Sequence, residues 1–243
     1  MWMGSRVVVI VPAWDEAPRI GRVLLSIPLW VDSIVVVDDA SRDGTAAAAR
    51  AAGDPRVDIV HHGQNRGVGA AIATGYKRAL AMAQGPRDAF VVMAGDGQMD
   101  PCDLPSLVTP VARGEADYVK GNRFRAPDVR WVMPATRRLG GIALSWATSR
   151  AVGIPISDSQ CGYTAIAAGA CVRLELDALW PGYGYPNDLL SQLTLRKLRI
   201  AETPVRALYA DEVSRLRSHH VPIVAALVAR AWLRRVMGSV SLL

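Results

Sequence analysis

The chain has 243 residues, of which 51% are hydrophobic and 21% are charged, and its formal net charge is +6. This composition excludes a disordered chain and supplies enough apolar side chains for one substantial core. The positive charge favours anionic partners such as nucleotides, pyrophosphates and phospholipid surfaces. Nucleic acid is disfavoured, because the basic residues are not clustered with aromatic side chains that could stack on bases.

Cysteine usage and hydropathy indicate where the protein works. Cys102, Cys161 and Cys171 form no CxxC pair, which is typical of a reduced intracellular protein. The apolar run at residues 7–11 is too short for the core of a signal peptide. No run reaches the roughly 20 apolar residues of a membrane-spanning helix. We therefore expect a cytoplasmic protein.

The first half of the chain alternates between two patterns. Continuous β-branched runs at residues 7–11 and 34–37 predict strands buried on both faces, and two further strands are expected at residues 57–60 and 89–93. Segments with helical spacing or many alanines separate these runs, at residues 17–27, 45–52 and 67–83. This order predicts an α/β fold with a doubly wound, mostly parallel sheet and right-handed crossovers.

The second half is less regular and adds elements of both kinds. We expect three strands and two helices there, at residues 118–124, 161–167, 201–209, 137–152 and 186–197. No long linker, repeat or low-complexity tract interrupts the chain. The sequence therefore predicts one domain over residues 1–217, followed by an amphipathic helix over residues 218–243.

Acidic side chains follow three of the predicted strands, at the point where each strand ends. Asp15 and Glu16 come after the first strand, Asp38 and Asp39 after the second, and Asp96 after the fourth. Ligands of open α/β sheets bind beyond the carboxyl ends of the strands. The carboxylates are therefore expected to share one cleft.

Each of these loops also has a purely structural explanation. Asp15 and Glu16 could accept hydrogen bonds from a base or ribose, or they could be favoured by the dipole of the following helix. Asp39 is a second candidate for a contact with the base or ribose. Gly67 opens a glycine-rich helix, where small residues allow close approach of either a ligand or a neighbouring segment.

The segment from residue 93 to residue 101 offers a metal site. Asp96 and Gln98 could supply oxygen ligands to Mg²⁺ or Mn²⁺ bridging a diphosphate. Such an ion would stabilise a departing nucleoside diphosphate as a Lewis acid. Asp100 is expected instead to cap the helix that begins near Pro101.

Four segments carry a family resemblance when they are taken in order. They are Pro-Ala-Trp-Asp-Glu from residue 12, Asp-Asp-Ala-Ser-Arg-Asp-Gly-Thr from residue 38, Asn-Arg-Gly-Val-Gly-Ala-Ala from residue 65, and Gly-Asp-Gly-Gln-Met-Asp-Pro from residue 95. Together they resemble the inverting GT-A glycosyltransferases of family 2, in particular the dolichyl- and polyprenyl-phosphate sugar synthases. The resemblance covers roughly residues 6–217 and implies a Rossmann-like GT-A fold.

The resemblance implies a set of donor-site residues. Those lining the nucleotide pocket would be Pro12, Ala13, Asp15, Glu16, Asp39 and Gly67. Asp96 and Gln98 would hold the metal, and Asp96 would thereby be catalytic. The family's metal motif often has two carboxylates, whereas Ala94 stands at the first of these positions here. Weaker metal affinity, or a water in that place, is the expected consequence.

The resemblance also implies residues on the acceptor side. Arg123 and Arg137 would bind the acceptor phosphate, since the guanidinium fork matches phosphate oxygens. Ser214 and Arg215 would contact the pyrophosphate from a loop that closes over it. The alternatives are solvated surface arginines and a disordered tail.

Asp188 stands at a helix start where many inverting transferases place their base. An alcohol acceptor needs a base to remove its proton as the new bond forms. A phosphate acceptor is already ionised and needs none. Asp188 is therefore a base only for an alcohol; otherwise it would orient a substrate or cap its helix.

The C-terminal segment is apolar and is interrupted by Arg230, Arg234 and Arg235. One interpretation is an amphipathic helix on the inner face of the cell membrane, with its arginines meeting anionic headgroups. The other is a helix docked on the domain core or on a second subunit of a homo-oligomer.

The expected activity is transfer of a hexose, with inversion, from a nucleoside-diphosphate sugar of the GDP-mannose or UDP-glucose type to a polyprenyl phosphate. An alcohol, lipid or glycan acceptor is the first alternative. Because the metal motif is altered, a second alternative is a nucleotide-sugar-binding protein that has lost catalytic activity.

Overall fold

The computed structural model describes residues 1–127, 129–208 and 220–240. Its sheet has seven strands in that part of the chain, in the order β3-β2-β1-β4-β6-β5-β7. The strands are β1 Val7–Ala13, β2 Ser33–Asp38, β3 Val57–His61, β4 Ala89–Val92, β5 Tyr118–Asn122, β6 Thr164–Ala167 and β7 Ile200–Pro204.

Helices connect and cover these strands. They are α1 Ala17–Ser26, α2 Thr45–Ala51, α3 Val68–Leu80, α4 Leu104–Ala112, α5 Val129–Val132, α6 Ala135–Val152, α7 Ala168–Cys171, α8 Tyr185–Leu195 and α9 His220–Val240. The expected α/β architecture is confirmed, since strands and helices alternate from β1 to β5.

β1 is the central strand of the parallel part of the sheet. It pairs in parallel with β2 on one side and β4 on the other, and all seven of its residues are buried. A β-branched run buried on both faces is the pattern expected for such a strand. β6 is antiparallel to both β4 and β5, whereas β5 and β7 are parallel, so the sheet is mostly parallel as predicted.

The three strands predicted in the second half of the chain are shorter than expected. The strand predicted to reach residue 124 ends at Asn122, because its side chain accepts from Phe124 N and turns the chain into a short 3₁₀ helix. The strand predicted from residue 161 begins at Thr164, because Cys161 N donates to the Asp158 carboxylate in a local turn. β7 ends at Pro204, which has no N–H to continue a ladder.

The C-terminal helix α9 is docked on the rest of the chain, where it packs against α6 and α8. Val224, Leu227 and Ala231 on its inner face are buried. The docked alternative is therefore observed for this face of the helix. None of the helices in the described residues is both long enough and apolar enough to cross a membrane.

α3 lies so close to β1 that Gly75 has no room for a side chain. A Cβ at this position would come within 2.2 Å of Ile10 Cγ2. We expect Gly75→Ala to lower the free energy of unfolding by about 2 kcal/mol, because overpacking forces neighbouring side chains off their rotamers.

Gly140 on α6 is the matched control for this prediction, because nothing lies within 4 Å of a Cβ built there. Gly140→Ala should leave stability unchanged or raise it by up to about 1 kcal/mol, the difference in helix propensity. Urea unfolding of both variants checks the pair. Equal free energies of unfolding for Gly75→Ala and Gly140→Ala would contradict the close packing of α3 on β1.

Candidate active site

The carboxyl ends of β1, β2 and β4 meet at one edge of the sheet. Asp39 N donates to Ala13 O at 2.9 Å, and Gly95 N donates to Pro12 O at 3.1 Å. The chain after β2 and the chain after β4 are therefore each bonded to the end of β1. The Asp39 and Asp96 loops consequently flank the Pro12–Ala13 segment, while a cleft shared by the two carboxylates stays a prediction.

The loops after β1 and β2 are also tied to each other. Asp15 N donates to Ser41 Oγ, and Asp15 Oδ1 accepts from Arg42 N at 2.8 Å. Glu16 N donates to Thr45 Oγ1 at 2.8 Å, and its buried carboxylate pairs with a guanidinium of α1. These bonds hold the two acidic loops in one arrangement.

Two residues of these loops have left-handed backbone conformations. Asp15 has a φ of 53° and Ala40 a φ of 60°. For alanine this region is sterically unfavourable, and such conformations cluster at binding sites, where surrounding contacts enforce them. The backbone therefore marks the same edge of the sheet as the carboxylates do.

Asp39 is 3% exposed and organises the chain that leads into α3. Its Oδ1 lies 2.6 Å from His62 Nδ1 and accepts from Arg66 N at 2.8 Å. Its Oδ2 accepts from Gly67 N at 2.7 Å. A contact between Asp39 and a base or ribose stays a prediction, and its observed partners are all within the protein.

The glycines at the start of α3 pack against a backbone segment that precedes α8. A Cβ on Gly67 would lie 2.6 Å from Pro181 O, and a Cβ on Gly69 would lie 2.1 Å from Trp180 O. Gly67 also has a φ of 90°, which disfavours any side chain. Of the two explanations for these glycines, close approach of a neighbouring segment is observed.

The loop after β4 forms a compact turn around Asp96. Gln98 N donates to Asp96 Oδ1 at 3.0 Å, and Gly97 supports the turn with a φ of 78°. Asp100 accepts from Cys102 N at 2.8 Å at the start of the next 3₁₀ helix, which confirms its expected role as a cap. Asp96 is half-buried, in contrast to Asp39.

The donor set at this turn fits a divalent cation that shares its ligands with a substrate. Among the described residues, no group of three His, Cys, Asp or Glu side chains could hold a metal ion alone. Mg²⁺ is usually held by one or two carboxylates together with waters and substrate phosphates. Asp96, with the side-chain oxygen of Gln98 beside it in sequence, matches that arrangement.

The segment after β7 runs across the same turn. Leu208 N donates to Gln98 O at 3.0 Å, and Arg206 pairs with Asp100 at 3.1 Å. The chain thus reaches the Asp96 turn just before residue 209. Ser214 and Arg215, predicted to contact the pyrophosphate, lie outside the described residues.

Arg123 is held by a buried carboxylate. Its Nε and Nη2 donate to the two oxygens of Asp158 at 2.7 and 2.9 Å, and its backbone N–H also donates there. Burial would raise the pKa of the Asp158 carboxyl, but the hydrogen bonds and charge of Arg123 outweigh it and hold the pKa below its ordinary value of 3.8. The structure thus shows Arg123 as the partner of Asp158, and phosphate binding by Arg123 stays a prediction.

A fully buried lysine lies close to this pair. Lys120 Nζ donates to Cys161 O at 2.6 Å, and burial lowers the pKa of its ammonium group. Asp158 and Glu202 act in the opposite direction, since each favours the charged lysine. The hydrogen bond from Lys120 therefore links β5 to the turn that precedes β6.

Arg137 lies at the exposed start of α6. This part of α6 packs over Phe124, because a Cβ on Gly141 would come within 2.6 Å of Phe124 Cζ. Arg137 therefore belongs to the same side of the molecule as the chain that follows β5. That placement is consistent with an acceptor site, although its contact with a phosphate stays a prediction.

Asp188 is 2% exposed at the start of α8. Its Oδ2 accepts from Trp180 N at 2.9 Å, and its Oδ1 accepts from Arg234 Nη1 at 2.7 Å. The expectation that the α9 arginines meet lipid headgroups is wrong for Arg234, because its guanidinium turns inward to this carboxylate. Arg235 lies against the C-terminal end of α6, since a Cβ on Gly153 would meet its Nη1.

Two of the residues that organise this region were missed in the sequence. His62 bridges Asp39 and Thr74, with Nε2 2.9 Å from the threonine hydroxyl. Its position just after β3, at the same edge of the sheet, was the signal that could have found it. Arg234 carried no such signal, because its partner Asp188 is 46 residues away in the chain.

Residues 8–166 match the Glycosyl transferase family 2, and the chain belongs to this family. The chain is therefore a glycosyltransferase, an enzyme of the EC 2.4 class, and the carboxyl edge of the sheet is the candidate site for its nucleotide-sugar donor.

Individual relatives support this assignment. The chain is 34% identical over 212 residues to the undecaprenyl-phosphate mannosyltransferase of Micrococcus luteus, covering 82% of each chain. It is 29% identical over 217 residues to the UDP-N-acetylglucosamine–dolichyl-phosphate N-acetylglucosaminyltransferase of Methanococcus voltae, covering 83% of this chain and 85% of the relative. The fold matches glucosyl-3-phosphoglycerate synthase of Mycobacterium tuberculosis, solved with Mn²⁺ and UDP, with a TM-score of 0.64 and 22% identity over 97% of this chain and 80% of that chain.

The Arg123–Asp158 pair gives a stability prediction. Arg123→Met leaves a buried carboxylate without its cation, so we expect the free energy of unfolding to fall by about 3 kcal/mol at neutral pH. In the wild type, the lowered pKa contributes stability above about pH 4 that is lost on acidification. In the variant, burial raises the pKa of Asp158, so the stability deficit should shrink as the pH falls through this range.

Arg125, exposed in the same 3₁₀ helix, provides the control. Arg125→Met should unfold like the wild type at every pH. Denaturant unfolding between pH 3 and 8 checks the prediction. A deficit that did not depend on pH would argue that Arg123 contributes through packing alone.

Proposed function

We propose that the enzyme transfers a hexose, with inversion, from a nucleoside-diphosphate sugar to a polyprenyl phosphate. The observation that carries the proposal is the convergence of the Asp39 and Asp96 loops on the end of β1. Two of the relatives, from Micrococcus luteus and Methanococcus voltae, are named for transfer to a lipid phosphate. A donor of the GDP-mannose or UDP-glucose type is proposed from the family resemblance.

In this proposal the nucleotide lies over the loops after β1 and β2, and the diphosphate lies at the Asp96 turn. Asp15 and Glu16 border the nucleotide pocket, and Asp39 fixes the loop that closes its side. Mg²⁺ or Mn²⁺ held by Asp96 and Gln98 would supply the positive charge that stabilises the departing diphosphate. Asp96 is half-buried and so remains within reach of a ligand.

The environment of Asp188 favours a phosphate acceptor over an alcohol. Both carboxylate oxygens already accept hydrogen bonds, one from Trp180 N and one from Arg234. A carboxylate that is 2% exposed and already accepts from two protein donors is not placed to take a proton from an acceptor hydroxyl. A phosphate acceptor is already an anion at neutral pH and needs no base.

The exposed surface of α6 suits a lipid that carries a phosphate. Leu139, Ile142 and Trp146 are exposed and recur at helical spacing, so they share one face of the helix. Arg137 lies two residues before Leu139, on the other side of the helix, whereas the guanidinium of Arg150, one turn after Trp146, lies 5.2 Å from the centroid of the Trp146 ring. A cationic group next to an apolar stripe matches a phosphate joined to a polyprenyl chain.

We propose that the same side of the molecule lies on the inner face of the cell membrane. On α9, Trp232, Leu233, Val236 and Met237 are all exposed. The outward face is thus apolar, while Arg234 turns towards the protein. Apolar and tryptophan side chains on an exposed helix face favour the bilayer interface.

A transfer assay with purified full-length protein tests the proposed reaction. We expect labelled sugar to reach undecaprenyl phosphate and not undecaprenol when Mn²⁺ or Mg²⁺ is present. Asp96→Ala should lower kcat/KM by roughly 100-fold or more, because the charge on the leaving diphosphate loses its stabilisation. Asp100→Asn is the control, since an asparagine retains the cap at that position.

Other outcomes would point elsewhere. Equal transfer to undecaprenol would favour an alcohol acceptor. Binding of a sugar nucleotide without transfer to any lipid or glycan would indicate a protein that has lost catalysis. Metal-dependent nucleotide binding that survives Asp96→Ala would show that Asp96 does not hold the metal.

Sedimentation with vesicles that contain phosphatidylglycerol tests the membrane surface. Leu233 is 51% exposed on α9, and Leu233→Glu should weaken vesicle binding roughly tenfold by placing a carboxylate in the apolar face. Leu25→Glu on α1, at a position 67% exposed, is the control and should bind as the wild type does. Equal losses in both variants would exclude α9 as the docking surface.

A further inference from the structure

We infer that Arg234 of α9 is a positioning residue for the donor pocket. A continuous series of contacts runs from its guanidinium through Asp188, Trp180 and Pro181 to the start of α3, and from there to Asp39. The inference rests on the proposed donor site. It assigns to the C-terminal helix a part in shaping the nucleotide pocket, in addition to any contact with lipid.

The first contact joins α9 to α8. Arg234 Nη1 lies 2.7 Å from Asp188 Oδ1, and the carboxylate side chain is 1% exposed. A charge buried to this degree requires a partner, and removing one member of such a pair leaves the other uncompensated. The position of Asp188 therefore depends on α9.

The second contact joins Asp188 to the segment before α8. Its other oxygen accepts from Trp180 N at 2.9 Å. The Trp180 ring is held in turn, because Nε1 donates to Tyr183 O at 3.1 Å. α9 supports this segment directly as well, since a Cβ on Gly184 would come within 2.7 Å of Leu227 Cδ1.

The third contact joins this segment to the first turn of α3. Pro181 O accepts from Gly69 N at 2.7 Å and from Ala70 N at 3.1 Å. Backbone N–H groups in the first turn of a helix have no partner within the helix and need one from outside. Because Gly67 and Gly69 have no side chains, the two backbone segments pack directly against each other, with no room for a Cβ between them. A shift of Pro181 must therefore shift the start of α3.

The last contact ends at the donor pocket. Arg66 N and Gly67 N, immediately before α3, donate to the two oxygens of Asp39. The Asp39 backbone is bonded to Ala13 at the end of β1. The steps from α9 to β1 are thus an ion pair, hydrogen bonds between named atoms, and the covalent links Trp180–Pro181 and residues 66–70.

Hydrogen exchange of the nucleotide-free, full-length protein tests the coupling directly. In Arg234→Met, the amides of Gly69 and Ala70 should exchange roughly tenfold faster or more, because their acceptor is no longer held in place. Amides of β2 should exchange as in the wild type, which separates this local effect from general loosening of the fold. Arg230→Met, on the same helix, is the control and should leave Gly69 and Ala70 unchanged.

Two further variants test the same inference if Arg234→Met does not fold. Arg234→Lys keeps the charge but not the guanidinium geometry, so exchange at Gly69 and Ala70 should lie between wild type and Arg234→Met. Asp188→Asn should also accelerate these amides. Adding Arg234→Met to Asp188→Asn should produce little additional change, because both substitutions remove the same interaction.

Donor kinetics supply the functional arm. The KM for the sugar nucleotide should rise about five- to tenfold in Arg234→Met while kcat changes less, as expected when binding geometry and not chemistry is disturbed. Unchanged exchange at Gly69 and Ala70 in Arg234→Met would overturn the inference, as would the same acceleration in Arg230→Met. If the wild type bound no sugar nucleotide, the proposed donor site would be wrong. The exchange data would still decide whether α9 positions α3.

Discussion

The site depends on one constraint, which is that the ends of three parallel strands are bonded to each other beyond the sheet. The end of β1 accepts from Asp39 N on one side through Ala13 and from Gly95 N on the other through Pro12. Parallel pairing brings the carboxyl ends of β2, β1 and β4 to one edge, and these two bonds continue the alignment into the loops. Residues far apart in sequence thereby become neighbours without any contact between their side chains.

Burial separates the acidic residues into two groups. Asp39, Asp158 and Asp188 are almost fully buried, and each is satisfied by protein cations or backbone N–H groups, as buried carboxylates must be. Asp15 and Asp96 are only half-buried. Carboxylates of the first group stabilise loops and helices, whereas the Asp15 and Asp96 side chains are partly exposed to solvent. An acidic residue at a strand end can therefore serve the site by shaping it instead of touching the substrate.

Local pattern was enough to predict most of the fold and to bring the candidate site residues to one edge of the sheet. Residues 7–11 have the pattern of a strand buried on both faces, and the predicted acids follow β1, β2 and β4, whose carboxyl ends meet at one edge. What the sequence could not provide were pairings set by tertiary contact. Asp188 and Arg234 are joined only because α8 and α9 pack together, and the late start of β6 follows from a turn closed by Asp158. The arginines of α9 resembled headgroup ligands because periodicity alone does not tell which face packs inward.

The inward direction of Arg234 has a practical consequence for handling this protein. Deleting the C-terminal helix, a common route to better solubility, would remove the counter-charge of Asp188 and expose the apolar surfaces of α6 and α8 that the inner face of α9 now covers. Newly exposed apolar surface promotes aggregation, so the truncation would work against its purpose. Polar replacements confined to the solvent-facing side of α9 would reduce nonspecific association while keeping the Arg234–Asp188 ion pair intact.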